Sequence, residues 1–442
     1  MKQLVVIFTL WLAWMPVGAQ KTLTLEECLK LGIENNLSLE GSRNEMRKAK
    51  HLLSENRAKL WPQISAVAGF NDNFNPPVSV TDGSAYGNLY NVTKTLQYNA
   101  SAGLQLQMPL YNQTVYTAVD IARTLNELNC LSYEKAREDL MMQISKMYYL
   151  GQNTMEQLTL IQENMVRLRE LRDITLAFFD NGMAMEVDVK RVNINLENQQ
   201  VQYDNAKSML VQQLNLLKYV MDYPADEEIT LTPVDTERIQ SASLTGLRSD
   251  LYELQLLQSQ EKLAGQQKDL IRQGYLPSLT LTGSWMYSAY TDKARHWFHS
   301  GPSNHWYPST GLGITLRVPI FDGFDKRARI RKAQIDQENA RLNYETTLKN
   351  MHTQYLNASN ELMNNQRHFK KLKDNYLLAE DVYQVTTDRY REGIASMTEV
   401  LQDEMRMSEA QNNYLSAHYN YQVANLALLK QTGQMDRLLQ GN

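Results

Sequence analysis

The feature that most constrains this chain is an internal duplication: short strings in the first half recur about 210 to 215 positions later, a period too long for a solenoid. The matching anchors are Pro62 and Pro277, Pro109 and Pro319, and Gly182 and Gly393. A segment rich in proline and acidic residues separates the halves. We therefore predict two structural repeats at 21–222 and 244–433, a linker at 223–243 and a tail at 434–442.

Each repeat is predicted to run helix, strand, loop, strand, very long helix, tight turn and helix. Residues 112–179 and 326–391 lack proline and carry little glycine, so each is predicted to be one continuous helix about 100 Å long. Their apolar positions step mainly by three and four, which indicates a coiled-coil stripe. Shorter helices are predicted at 39–60, 187–220, 251–275 and 399–432.

Four segments alternate polar and apolar residues with a period of two, which predicts amphipathic strands. One of them, 96–108, presents Leu104 and Leu106 on one face and Gln105 on the other. The predicted lumen-facing set is Gln97, Ser101, Gln105, Thr280 and Thr282. A soluble sandwich would alternate in the same way, but the strand length also suits tilted membrane strands. Four strands cannot enclose an open lumen, whereas three copies would supply about twelve.

The N-terminus carries Lys2, an apolar run at 4–15 and a small-residue end at Ala19, a pattern typical of a secretory signal peptide over 1–20. No apolar run of about 18 residues follows it, so any membrane insertion is expected to use strands. Two cysteines, Cys28 and Cys130, do not make a disulfide framework. Basic residues number 45 and acidic residues 49, a balance that gives no broad attraction to nucleic acid.

Two strings at the helical turns, 181–189 and 392–401, together with the proline-headed strands, resemble the TolC-like family of outer-membrane efflux channels. The resemblance covers nearly the whole mature chain. It implies a mainly α fold with a membrane β-barrel portion: long α-helical hairpins plus four strands per protomer in a homotrimer. It also implies an outer-membrane location with a large periplasmic portion. Its expected partners are outer-membrane lipid, a periplasmic adaptor and, through it, an inner-membrane pump for efflux or type I secretion.

The resemblance further implies a gate where the helical turns converge, with Asp188 and Glu399 as the acidic residues and Tyr390 as the aromatic one. The expected adaptor-contact residues are Gly182, Met183, Ala184, Gly393, Ile394 and Ala395. A plainer reading of Asp188 and Glu399 is open as well: both lie near predicted helix N-termini, where the helix dipole favours negative charge.

The sequence contains no phosphate-binding loop, nucleophile elbow or paired-histidine zinc motif, so we expect neither an enzyme nor a bound cofactor or metal. His296, His299 and His305 lie among aromatic residues and predict an external loop rather than a metal site. An exported coiled-coil scaffold without a pore is the alternative function. It would account for the helices but leaves the four amphipathic strands unexplained.

Overall fold

The fold is given by a computed structural model that describes residues 21–82, 90–233, 246, 248, 250–293 and 306–440. The predicted signal peptide and the three loop histidines lie outside these residues. None of the helices in these ranges is both long enough and apolar enough to cross a membrane. The described residues belong to two compact units, one drawn from 1–45, 130–256 and 344–442 and the other from 46–129 and 257–343.

Two very long helices dominate the chain, and both match the predicted lengths to within about two residues. They have 68 and 67 residues and continue unbroken because no proline interrupts their hydrogen-bond ladders. The helices are α1 (Leu25–Asn35), α2 (Leu37–Ala58), α3 (Gln113–Asp180), α4 (Glu186–Met221), α5 (Tyr252–Gln273), α6 (Asp325–Arg391) and α7 (Met397–Gln431). A 3₁₀ helix at Met435–Leu439 follows within the predicted tail, and its Met435 is fully buried.

Four antiparallel strands form the sheet of the second unit, in the order β2-β5-β7-β8. The strands are β1 (Lys21–Leu23), β2 (Gln63–Asp72), β3 (Val78–Asp82), β4 (Tyr90–Lys94), β5 (Tyr98–Tyr111), β6 (Ile229–Leu231), β7 (Ser278–Thr291) and β8 (Trp306–Arg317). Strands β3 and β4 form a separate hairpin. Strand β1 pairs in parallel with β6, which lies inside the predicted linker. In the described part of the chain, β2 and β8 each have a neighbour on one side only.

Strand β5 is shifted from its predicted range of 96–108. It begins at Tyr98 and continues to Tyr111, with a register shift against β7 after Pro109. The register shift has a simple cause: proline has no backbone N–H, so the ladder is irregular after Pro109, skips Leu110 and resumes at Tyr111. The proline was therefore a sign of irregular pairing rather than of the end of the strand.

The first unit is held by an apolar core around β1 and α1. Leu23, Leu29 and Met221 are fully buried there, together with Ile144 of α3. The packing is close at Gly32, where an added Cβ would lie 2.2 Å from Cδ1 of Ile144. Cys28 is buried in the same core as a free thiol. Burial raises its pKa to about 12, so the thiol is unreactive at neutral pH.

Candidate functional site

The sheet has one polar and one apolar face, and strand pairing fixes which residues share each face. Gln105 lies opposite Ser65 on β2 and Ser284 on β7, whereas Leu104 lies opposite Ala66 and Trp285. Directly opposed residues in antiparallel strands project from the same side. Four of the predicted lumen residues lie on the polar face: Ser101, Gln105, Thr280 and Thr282. Gln97 lies just before β5, where its amide donates a hydrogen bond of 2.9 Å to Asp72.

The apolar face of the sheet is exposed, and aromatic residues stand at both of its ends. On β8, Leu312, Ile314 and Leu316 are all exposed. At the end where β7 starts and β8 stops, the exposed aromatic residues are Tyr111 of β5 and four that flank the strands: Trp61, Tyr275, Phe321 and Phe324. At the other end Phe70, Tyr287 and Trp306 lie on the apolar face, whereas Tyr290 and Tyr307 lie on the polar face. An apolar band between two aromatic girdles is typical of a sheet in contact with lipid.

The turns between the long and the short helices form two tips, the first tip at 181–185 and the second tip at 392–396. Their backbones are nearly the same. Gly182 and Gly393 have φ of 77° and 76°, which side-chain-bearing residues rarely adopt. The next residue, Met183 or Ile394, donates its N–H back into the preceding helix, at 2.7 Å and 2.8 Å respectively. This is a Schellman-type helix end, and it explains the two glycines.

The two tips present apolar side chains outward. Met183 is 67% exposed and Ile394 is 63% exposed, while the backbones of Gly182 and Gly393 are also open. Ala184 is half-buried and Ala395 is buried. Of the six residues expected to touch an adaptor, Ala395 therefore lies beneath the surface and supports the tip from within.

Glu399 completes a capping box at the start of α7. Its carboxylate accepts a hydrogen bond of 2.8 Å from the Ser396 N–H, and its own N–H donates to the Ser396 hydroxyl at 3.3 Å. The bond from the Ser396 backbone lowers the pKa of Glu399, which is exposed. The carboxylate is thus ionised and oriented by the helix start, as the plainer reading of the sequence expected.

Asp188 holds the same position at the start of α4, but its surroundings differ. The residue that precedes α4 is Met185, which has no side-chain oxygen, and its N–H lies 3.4 Å from the Asp188 carboxylate. Asp188 is buried and pairs with Arg191 at 3.1 Å. Arg191 also donates to the Thr398 hydroxyl at 3.4 Å, so the structure brings the starts of α4 and α7 together.

Tyr390, the third residue of the expected gate, is packed inside the helical bundle. Its ring centroid lies 5.6 Å from that of Phe178, and its hydroxyl lies 3.5 Å from the Thr175 hydroxyl. Burial raises its pKa, so the hydroxyl stays protonated. In this structure Tyr390 belongs to the apolar core next to the second tip.

Buried polar contacts between the two helical hairpins were not predicted from the sequence. The Asn164 amide donates 2.7 Å to Gln411, which donates back at 3.4 Å, and Gln199 donates to Glu404 at 3.3 Å. Burial raises the pKa of Glu404. The sequence pattern that could have predicted these contacts is the presence of polar residues at otherwise apolar helix positions. Such residues fix the alignment of the helices in coiled coils.

Two exposed stripes with heptad spacing run along the helices. On α4, Val187, Ile194 and Val201 are seven residues apart and exposed. On α6, the exposed residues Ile335, Leu342, Leu356, Met363 and Leu377 are separated by seven or fourteen residues. A heptad repeat of apolar residues is the pattern of a helix seam that lacks its partner.

Comparison with known proteins gives a consistent set of relatives. The family model described as "Outer membrane efflux protein" matches residues 29–221 and 250–434. Outer membrane protein TolC of Vibrio cholerae is 21% identical over 426 residues, covering 93% of this chain and 91% of its own length. The probable efflux pump outer membrane protein TtgC of Pseudomonas putida is also 21% identical, with 92% and 82% covered. The open state of the MtrE outer membrane channel from Neisseria gonorrhoeae shares the fold, with a TM-score of 0.73, 19% identity and coverage of 92% and 88%.

Proposed function

We propose that this chain, which belongs to the outer membrane efflux protein family and is an efflux channel of the outer membrane, assembles as three copies into one passive conduit. The conduit would be docked through a periplasmic adaptor to an inner-membrane pump. The observation that carries the proposal is the four-stranded sheet with an exposed apolar face, a polar face and two open edges. We propose no catalytic activity for the chain, since pumping energy would come from the partner.

The homotrimer is supported by the edges of the sheet. An exposed sheet edge leaves backbone N–H and C=O groups without partners, and in lipid each such group costs several kcal/mol. Pairing β8 of one copy with β2 of the next removes every edge once the ring closes. Two copies would give about eight strands, whose interior fills with side chains, whereas three copies give about twelve and leave a lumen. The polar face with Gln105 and Thr282 would line it.

The helical stripes support the same assembly. Val187, Ile194 and Val201 on α4, and the heptad-spaced residues of α6, are apolar but remain exposed in the single chain. Packing such a stripe against a neighbouring copy would bury it in a coiled-coil seam. The same copies would then be in contact through their sheets and through their helices.

The tips are the proposed contact with the adaptor. Both present an exposed large apolar side chain, Met183 or Ile394, on a Schellman-type turn with an open glycine backbone, and the first tip also presents Met185. Two copies of the same surface on each chain would give six similar sites around a trimer, which suits a partner that binds in repeated copies. A single exposed apolar side chain of this size provides a docking point without demanding a large buried area.

The acidic residues near the tips are the proposed gate. Glu399 is exposed, whereas Asp188 is buried and paired with Arg191; a trimer would carry three of each around its periplasmic mouth. A ring of carboxylates favours cations and repels anions. Glu399→Gln is the sharp test, since glutamine can also accept the bond from Ser396 and keeps the capping box. If the charge forms the gate, this variant loses cation selectivity while its helix remains capped.

The overall proposal is tested by single-channel conductance of the purified mature protein in a planar bilayer, with the oligomer mass measured on the same sample. We expect discrete conductance steps from a trimer. Unchanged selectivity in Glu399→Gln would remove the gate assignment but leave the conduit in place. A monomer that never inserts into the bilayer would refute the conduit itself.

A further inference from the structure

A groove of about 530 Å³ lies where β8 continues into α6. We call it the junction groove and define it by Tyr275, Phe321, Phe324, Arg327 and Ile330. Its two phenylalanine rings meet edge to face with centroids 5.6 Å apart, yet they are 76% and 62% exposed. Large apolar rings that are packed against each other but left open to water mark an interaction surface.

The junction groove also offers a positive charge. Lys326 is engaged, since its ammonium pairs with Asp322 at 3.0 Å and lies 5.1 Å from the centroid of the Tyr275 ring. Arg327, by contrast, has no hydrogen bond or ion pair among the described residues. An unpaired guanidinium beside open aromatic rings is suited to a partner that is itself aromatic, since arginine stacks on such rings.

Strand direction identifies the segment that would reach this groove. Each neighbouring pair in the order β2-β5-β7-β8 is antiparallel, so β8 runs opposite to β2. If β2 of the next copy adds to the open edge of β8, as the proposed trimer requires, the two strands are antiparallel. The start of β2 then lies beside the end of β8. Trp61 stands two residues before Gln63, the first residue of β2, and is 71% exposed.

We propose that the junction groove of each copy receives the Trp61 side chain of the next copy, stacked on Phe321 and Phe324 and covered by Arg327. The indole would bury on the order of 200 Å² of surface, and a cation over its face adds a directional contact. The inference rests on the proposed trimer and extends it: each closed sheet junction would be latched by one tryptophan at the end nearest the helices. If a lipid tail occupied the junction groove instead, Trp61 would remain in contact with solvent or lipid.

The test is disulfide cross-linking of the assembled protein. Trp61→Cys and Phe321→Cys are introduced together in a chain whose Cys130 is replaced by alanine; Cys28 stays, because it is buried and its raised pKa keeps it unreactive. A ring of head-to-tail contacts predicts covalent dimers and trimers under oxidising conditions. The matched control pair is Trp61→Cys with Trp306→Cys, since Trp306 is exposed at the other end of β8.

The expected result is strong cross-linking for the first pair and little for the control pair. A conducting trimer in which both pairs cross-link equally weakly would overturn the latch and leave the proposed conduit intact. Absence of any trimer, with or without the substitutions, would refute the conduit and the latch together.

A second measurement needs no introduced cysteines: the temperature at which the trimer dissociates. Trp61→Ala is expected to lower this temperature, whereas Trp61→Phe and the exposed-aromatic control Phe74→Ala are expected to leave it unchanged. Equal dissociation temperatures for Trp61→Ala and Phe74→Ala would contradict the latch.

Discussion

His418 on α7 gives a quantitative prediction, because it is a buried imidazole in an aromatic setting. Its ring centroid lies 5.3 Å from Phe369 and 6.5 Å from Tyr414, and its Nε2 has no hydrogen-bond partner within the described part of the chain. Burial lowers its pKa from 6.5 to about 4, and the nearby Lys373 acts in the same direction. The folded protein therefore holds His418 neutral at pH values where an unfolded chain would protonate it.

The sign and size of the effect follow from that pKa. Between pH 6.5 and about 4 the unfolded chain binds a proton that the folded chain does not, so the free energy of unfolding decreases as the pH falls through this window. Over the whole window the loss amounts to about 3 kcal/mol per protomer. The opposite sign holds for Glu138, whose pKa is raised to about 7 by burial and by Asp436; its contribution grows as the pH falls from 7 towards 4.5.

Since these two contributions oppose each other, the pH profile of the unmodified protein does not isolate His418. We therefore compare it with His418→Phe, which keeps an aromatic ring beside Phe369 but cannot be protonated. The measurement is the denaturant midpoint at several pH values from 7 to 4. We expect the variant to lose about 3 kcal/mol less than the unmodified protein on acidification. His352→Gln, at an exposed position, serves as the control. Parallel pH profiles for the unmodified protein and His418→Phe would refute the reasoning.

Three further predictions concern glycines and tips. Gly393→Ala is expected to destabilise the second tip by about 1 to 2 kcal/mol, since φ is 76° there, whereas Gly41→Ala, inside α2 near its start and with open space around it, should stabilise by about 0.5 to 1 kcal/mol; denaturant midpoints that move together would contradict this. Glutamate at both Met183 and Ile394 should abolish export while trimers persist, and normal export by a verified trimer would remove the adaptor assignment. Met185→Ser supplies the missing cap of α4, worth about 1 kcal/mol, so amides of its first turn should exchange about fivefold more slowly; unchanged exchange would show that the cap does not form.

The helical part of the fold was largely predictable from the sequence. The long helices could be bounded by the absence of proline and by the glycines at the tips, and their ends agree to within about two residues. Positive φ at Gly182 and Gly393 is a local property, and local properties are legible in a single sequence. The alternation that predicted the sheet faces is local for the same reason, and the pairing of Gln105 with Ser284 agrees with it.

The parts that the sequence did not reveal depend on contacts between distant residues. Strand β6 looked like linker because its three residues become a strand only by pairing with β1, some two hundred positions away. The burial of Tyr390 and Ala395 depends on how the hairpins pack, which periodicity does not specify. The position of Glu399 near a helix N-terminus was visible in the sequence as an alternative. The capping box that it forms with Ser396 is an addition from the structure, although serine followed three residues later by an acid is a local pattern.

The polar contacts between the two hairpins bear on how a channel of this kind could open. Asn164 with Gln411, and Gln199 with Glu404, are buried hydrogen bonds rather than apolar packing. An unpaired buried amide is costly, so each bond specifies one alignment of the helices. Once the helices part, however, water can satisfy the same groups, so the net loss per bond is only about 1 kcal/mol. Such an interface defines the observed alignment of the hairpins without joining them permanently, which is what the proposed gate requires.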